Sequence, residues 1–391
     1  MQKNLTEVRG FKCWGAHIGI KSKRRDLAII YSEKEASAAA VYTKNLVAAE
    51  PVKLSRKNSA DGKARAFVIN AGNANACTGK QGWEGAVAMM NTTAEALGIE
   101  PEEVLVSSTG IIGEPFPTEK VVEGIKDTVP NLSDRQLAGS LAANAILTTD
   151  TFPKEGFSTF KVDGKEVRMG GIAKGSGMIH PNMGTMLAFI VCDIAISSEL
   201  LNKALHECVD KSFNMINVDG DTSTNDMVAI MCNGEAGNSM ITEEDDDYEI
   251  FRSNLEKMCM HFAKLIVSDG EGATKLIEYE VTGVPDVEGA RKIVRTISDS
   301  KLVQTAMFGM DPNWGRILAA AGRAGVDFDP EKADLYFGYN NRIQILENGQ
   351  PVKTDRKTLK KHMKSTHIKV VLDLNQGDAS AIGWGTDISY E

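Results

Sequence analysis

The sequence predicts an α/β protein in which helices cover β-sheets. Two observations predict it. Short runs rich in β-branched and aromatic residues alternate with longer stretches of helical periodicity along the chain. No internal repeat or low-complexity linker interrupts that alternation. At 391 residues the chain can build two or three domains or one large two-layer assembly, with a sizeable core either way.

Taken in order, DLAIIYS (26–32), SAAAVYT (37–43) and ARAFVIN (64–70) read as strands. WEGAVAMMNTTAEAL (83–97) carries apolar residues at helical spacing, and Gly98 follows as a stop signal. EEVLVSSTGIIGEPFP (102–117) is a strand entering a Gly/Pro turn. SDRQLAGSLAANAIL (133–147) reads as a helix with Ser133 as its N-cap. The loop TTDTFPK (148–154) leads to a hairpin over FSTFKVDGKEVRMGGIAK (157–174), turning at Asp163-Gly164. A Gly-rich loop follows, and TMLAFIVCDIAI (185–196) is then a near-continuous apolar strand. SSELLNKALHECVDKSFNMI (197–216) is an amphipathic helix. VDGDTSTNDMVAIMCNG (218–234) passes from a polar turn into a strand. The acidic run EEDDDYE (243–249) is the solvated N-terminal end of a helix, where negative charge is favourable. That helix places Ile250, Phe251, Leu255, Met258, Phe262 and Leu265 on one face. ARKIVRTISDSKLVQTAMFG (290–309) is a further helix, and DLYFGYNNRIQILENG (334–349) and IKVVLDLNQG (368–377) read as strands.

Composition removes several function classes. A net charge of −9 argues against a nucleic-acid surface and for an acidic, soluble cytoplasmic protein. The basic clusters KSKRR (21–25) and KTLKKHMK (357–364) lack interleaved aromatics for base stacking and read as solvated faces. Cys13, Cys77, Cys192, Cys208, Cys232 and Cys259 are scattered, with no CxxC pair and no His at metal spacing. They fit a reducing compartment rather than a disulfide frame or a zinc site. MQKNLTEVRG has no apolar core segment, so no secretion signal is expected. The run MLAFIVC (186–192) is far too short to span a bilayer, so no membrane partner is expected.

Local motifs narrow the chemistry further. In VDGDTSTND (218–226), Asp219, Asp221 and Ser223 fall at calcium-loop ligand positions. Thr224 stands where that loop needs Gly, and Ile230 where it needs Glu, so the stretch is a polar turn bordering a site. NAGNANACTGK (70–80) lacks the first Gly and the final Ser/Thr of a phosphate loop. No GxGxxG follows a strand and GxSxG is absent. The junction KGSGMIHPNMGT (174–185) is more telling, because a flexible loop meets a threonine that opens a buried strand. A chain cut there turns Thr185 into an N-terminal nucleophile whose own amine serves as base. His180 is a second candidate base, although a lone loop His is more often structural. STG (108–110) is a Gly-rich turn whose backbone N–H groups could face a cavity as an oxyanion site. Lys174 reads either as a solvated lysine or as a holder of a carboxylate.

NAGNANACTG (70–79), SSTGIIGEP (107–115), TTDTFPK (148–154), AKGSGMIHPNMGTMLAF (173–189), NVDGDTSTND (217–226), DGEGATK (269–275) and DPNWGRI (311–317) occur in this order. From about residue 9 to about residue 390 the sequence closely resembles the ornithine acetyltransferase family, the bifunctional ArgJ-type enzymes of arginine biosynthesis. The resemblance implies an α/β sandwich of the N-terminal-nucleophile type, related to self-processing aminopeptidases of the DmpA kind. It implies a precursor cut at Gly184–Thr185 into an α chain, 1–184, and a β chain, 185–391, that stay together as α2β2 or larger. It also implies transfer of the acetyl group of N-acetylornithine to glutamate without a cofactor. Some family members accept acetyl-CoA as donor.

Residue by residue, the resemblance makes Thr185 the nucleophile and Thr109 with Gly110 the oxyanion pair. Thr148 and Lys174 match substrate contacts, Lys174 suiting a carboxylate. Glu271 matches the acidic contact and suits a substrate ammonium. The family usually has Ala where this sequence has Gly184. Family chains run roughly a dozen residues past the position of Tyr390 (compare), and an Asn and a Ser or Thr there contact substrate. Three other readings share these residues. One is an amidohydrolase or aminopeptidase in which water resolves the acyl-enzyme. Another is an acetyltransferase paralogue of a different amino-acid-derived pathway. The third is an unprocessed binding protein with an inactive site.

Overall fold

Leu187–Cys192 and Met227–Cys232 are buried at all six positions, which explains their continuous apolar sequence: a parallel pair covered on both faces has no polar side. The structure, a computed structural model, describes residues 3–180, 186–339 and 341–389. The described residues fall into two compact units. One lies within Met1–Gly175, Asn182–Asp210 and Thr222–Phe262, the other within Ser176–Pro181, Lys211–Asp221 and Ala263–Glu391.

The first unit holds an eight-stranded sheet. Its strands are β1 (Phe11–Ala16), β2 (Leu27–Tyr42), β3 (Lys63–Asn73), β4 (Val104–Ile111), β5 (Lys154–Val162), β6 (Lys165–Lys174), β7 (Leu187–Cys192) and β9 (Met227–Cys232). They run in the order β4-β3-β2-β9-β7-β6-β5, with β1 paired to β2 off that path. Helices Glu50–Asn58, Gly79–Leu97, Thr118–Thr128, Gln136–Ala145 and Ser198–Asp210 accompany this sheet, as does the longer Asp246–Ser268 up to Phe262. The core divides into two apolar clusters. Phe67, Ile69, Ile172 and Phe189 belong to one, and Val68, Met89, Val106 and Ile125 to the other. Because β3 contributes alternate residues to each, the sheet is packed on both faces.

Three local expectations are corrected. DLAIIYS and SAAAVYT form one strand, β2, rather than two. Its first half pairs with β3 and its second with β9, and the exposed charged residues Glu33–Glu35 sit where the register with β3 slips, between Tyr31 and Ala36. Ser133 does not cap a helix. Its backbone bridges to Cys13, the helix begins at Gln136, and Arg135 is the N-cap. On the long acidic-started helix Ile250 is exposed, while Phe251, Leu255, Met258 and Phe262 are buried. The Asp163-Gly164 turn forms as expected, both residues taking positive φ (51° and 69°) as a type I′ hairpin requires.

The second unit carries a seven-stranded sheet of β8 (Ile216–Asn217), β10 (Leu276–Val284), β11 (Asp334–Phe337), β12 (Ile343–Glu347), β13 (Gln350–Pro351), β14 (His367–Asp373) and β15 (Ala379–Thr386). The segment 290–309, expected as one helix, is two: Val287–Ser298 and Lys301–Phe308. Ser300 takes an extended backbone (ψ 108°), which breaks the hydrogen-bond ladder between them. Among the described residues no helix is long and apolar enough to cross a membrane.

Candidate active site

Gly110 fixes the end of β4. Its φ is 137°, and a Cβ there would lie 2.3 Å from the Gly72 carbonyl carbon on the neighbouring strand. Only glycine fits such a close backbone approach. The parallel ladder of β3 and β4 loses register at this point, so the backbone around Thr109 and Gly110 leaves the regular sheet pattern. The expected oxyanion pair therefore sits on an irregular strand end, where N–H groups can serve a ligand.

Lys174, the last residue of β6, joins this strand end to the loop after helix Gln136–Ala145. Its Nζ donates to Thr148 Oγ1 at 2.7 Å and to Thr109 Oγ1 at 3.3 Å. The structure thus brings three of the expected residues together in the first unit. Lys174 is buried, not solvated. Burial holds its ammonium below the ordinary lysine range, against an upward pull from Asp150.

Around this trio stand residues that the sequence reading left without a role. Asp150 Oδ1 accepts from Lys154 Nζ and from the Gly175 N–H, each at 2.7 Å. Its Oδ2 accepts from the Thr148 N–H at 3.0 Å and lies 3.8 Å from Lys174 Nζ. Burial pushes the Asp150 carboxyl up, but Lys174 and Lys154 together with those hydrogen bonds outweigh it and hold it below the usual carboxylate range. Asn225 Nδ2 donates to Ala74 O at 2.6 Å and to Ser108 O at 2.8 Å, tying the polar turn to the residue before Thr109. Asp226 Oδ1 accepts from the Met186 N–H at 2.8 Å, and Met227 N donates to Met186 O at 3.2 Å. Asp226 Oδ2 is buried, and burial pushes this carboxyl well above its ordinary range against a downward pull from the Met186 N–H, the Thr43 side chain and Lys174.

Gly184 and Thr185, the expected scissile pair and nucleophile, lie outside the described residues. Their neighbour Met186 is held by Asp226 and by β9 as stated. Glu271 lies in the second unit and is exposed. Its N–H donates to Ser176 O at 3.0 Å, and a Cβ on Gly177 would meet its carboxylate at 2.6 Å. His180 Nε2 lies 4.0 Å from Asp299 Oδ1 in the same unit. Sequence reasoning missed Asp150 and Lys154 because an Asp and a Lys four apart look like a solvated ion pair. Their one signal was a lysine beside Pro153 in a loop otherwise short of charge.

A model of the ArgJ family matches residues 12–391. The arginine biosynthesis bifunctional protein ArgJ of Thermotoga neapolitana is 49% identical over 386 residues, 97% of this chain and 96% of its own length. The protein of that description from Caldanaerobacter subterraneus is 47% identical over 384 residues, 98% of this chain and 95% of its own. A crystal structure of an arginine biosynthesis bifunctional protein from Bacillus halodurans, 42% identical, covers 47% of this chain and 94% of that one, with a TM-score of 0.45.

Proposed function

The chain belongs to the ArgJ family, and we infer that it moves the acetyl group of N-acetylornithine to glutamate through an acetyl-threonine at Thr185. The chain is an enzyme of arginine biosynthesis, and an α/β fold of the N-terminal-nucleophile type belongs to this reading. What supports the site assignment is one observation: a buried lysine, Lys174, hydrogen-bonded at once to Thr109 and Thr148. A buried ammonium whose hydrogen bonds go to neutral hydroxyls, with the Asp150 carboxylate no nearer than 3.8 Å, is suited to a substrate carboxylate.

The chemistry follows from these roles. In the precursor the Thr185 hydroxyl attacks the Gly184 carbonyl, the peptide shifts from amide to ester, and water hydrolyses the ester. Gly184 has no side chain to obstruct the attack. In the cut enzyme the free Thr185 amine takes the hydroxyl proton, and the oxygen attacks the acetyl carbon. Thr109 and Gly110 hold the developing oxyanion. Ornithine leaves with the proton, and the amine of glutamate then attacks the acetyl-threonine and restores the hydroxyl. Lys174 anchors a substrate carboxylate and Glu271 a substrate ammonium. Acetyl-CoA as a second acetyl donor, as some members of the family accept, belongs to the same proposal. No bound cofactor is part of this scheme, and a cytoplasmic setting is.

The two fragments stay together in this reading. β6 pairs with β7 and β2 with β9, so a cut before Thr185 leaves one sheet built from both pieces. Association of such pairs into α2β2 belongs to the same proposal.

Incubation of the purified chain with N-acetylornithine, with and without glutamate, tests the reading. Acetylglutamate formed in step with ornithine is expected. Ornithine released at the same rate without glutamate would instead identify a hydrolase.

A further inference from the structure

Two lysines share one carboxylate beside the Lys174–Thr109–Thr148 cluster. Asp150 takes Lys154 Nζ at 2.7 Å on Oδ1, while Lys174 Nζ stands 3.8 Å from Oδ2. The side chains of Asp150 and Lys154 are 0% exposed and that of Lys174 3%. Lys154 also lies over the Phe152 ring, 4.8 Å from its centroid, which keeps it on the Asp150 side. One carboxylate cannot neutralise two ammonium groups. The short contact goes to Lys154 and the longer one to Lys174, so Lys154 holds Asp150 back from Lys174.

We propose that Asp150 and Lys154 are positioning residues that set the charge of Lys174: Asp150 keeps Lys174 protonated, while Lys154 occupies Asp150 and so leaves Lys174 to take the carboxylate of the substrate. The inference rests on the reading of Lys174 as the carboxylate anchor. It goes beyond that reading by making the anchor's strength a property of two residues behind it. Without Asp150, the buried Lys174 would shed its proton more readily. Without Lys154, Asp150 would be free to close on Lys174 and compete with the substrate.

The two residues act on Lys174 with opposite signs. Asp150 pulls its proton affinity up and Lys154 pushes it down, both against the background of burial. Asp226 also raises it, and Lys21, which donates to the carbonyl of Leu147 at 2.8 Å, is a further cation within electrostatic reach. Lys174 must be protonated to hold a carboxylate, so its loss of a proton lowers kcat/KM on the alkaline side.

The test is the pH profile of kcat/KM for N-acetylornithine in the full chain. Asp150→Asn should move the alkaline fall down by about one pH unit, and Lys154→Met should move it up by about one. The double variant, which removes both charges, should return it close to wild type. Lys174→Met provides the reference and should raise KM by about tenfold or more at neutral pH. Single variants that shift the profile in the same direction, or not at all, while Lys174→Met raises KM, would overturn the charge-setting role and leave the anchor intact. A Lys174→Met variant with unchanged KM would overturn the anchor and the inference with it. Should Asp150→Asn not fold, Lys154→Met decides alone: an upward shift supports the proposal, and none or a downward one rejects it.

Discussion

Asp226 imposes an electrostatic cost at the start of β7. Its carboxyl holds the Met186 N–H with one oxygen and buries the other. Burial raises its folded pKa above the unfolded value of about 3.9. Between the two values the unfolded chain gives up the proton first, so this group's stability is complete below about pH 4 and is lost as pH rises. Asp226→Asn has no such titration and keeps an oxygen for Met186. Its thermal midpoint should therefore gain on wild type as pH climbs from about 4 to about 7. A difference that stays flat over that range would show that the carboxyl is not paying a burial penalty. At Thr185 the proposed chemistry makes a sharper demand. Thr185→Ala should abolish both the self-cut and turnover, while Thr185→Ser should retain some of each. A denaturing gel and an acetyl-transfer assay on one preparation decide it, and an active Thr185→Ala enzyme would reject the nucleophile assignment.

The paired glycines Gly72 and Gly110 set the shape of the β3–β4 strand end. Gly110→Ala would drive a methyl into the Gly72 backbone at 2.3 Å, and at φ 137° no side chain can swing away. The cost should be at least about 2–3 kcal/mol in urea unfolding, with loss of turnover. Gly113→Ala, where a Cβ meets nothing within 4 Å despite a φ of 85°, should cost only about 1 kcal/mol. Equal costs would show that close approach is not what selects Gly110. The contrast also shows what the sequence could disclose. β7 and β9 were legible because burial on both faces leaves an unbroken apolar run. The unity of β2 was not, because its halves answer to different partner strands, and pairing is a property of the fold. The same holds in the site. Lys174, Thr148 and Thr109 were legible through the family's motifs, and the structure puts their side chains in contact. Asp150, Lys154 and Asp226 were not given roles, because whether a charged residue is solvated or buried is decided by tertiary packing.

The proposed cut has a consequence for the whole molecule that follows from strand order. In β4-β3-β2-β9-β7-β6-β5, the strands β9 and β7 stand between β2 and β6. They follow Thr185 in sequence, whereas β1 to β6 precede it. A fragment of residues 1–184 would hold two strand groups with a two-strand gap between them, leaving the Ser37–Tyr42 edge of β2 and the Met169–Lys174 edge of β6 unpaired. Unpaired edges of this kind invite aggregation. Nor would the second fragment fare better, since its β7 and β9 would have only each other in that sheet. Residues 1–184 expressed alone should therefore be insoluble or molten. Co-expression with 185–391 should yield a soluble complex that co-elutes in size exclusion and melts in one transition. A stable, monomeric fragment 1–184 would show that its strands reorganise without their neighbours. The intact Thr185→Ala precursor should melt close to the cut enzyme, because the sheet's pairings cross the cut and do not depend on the bond that is broken.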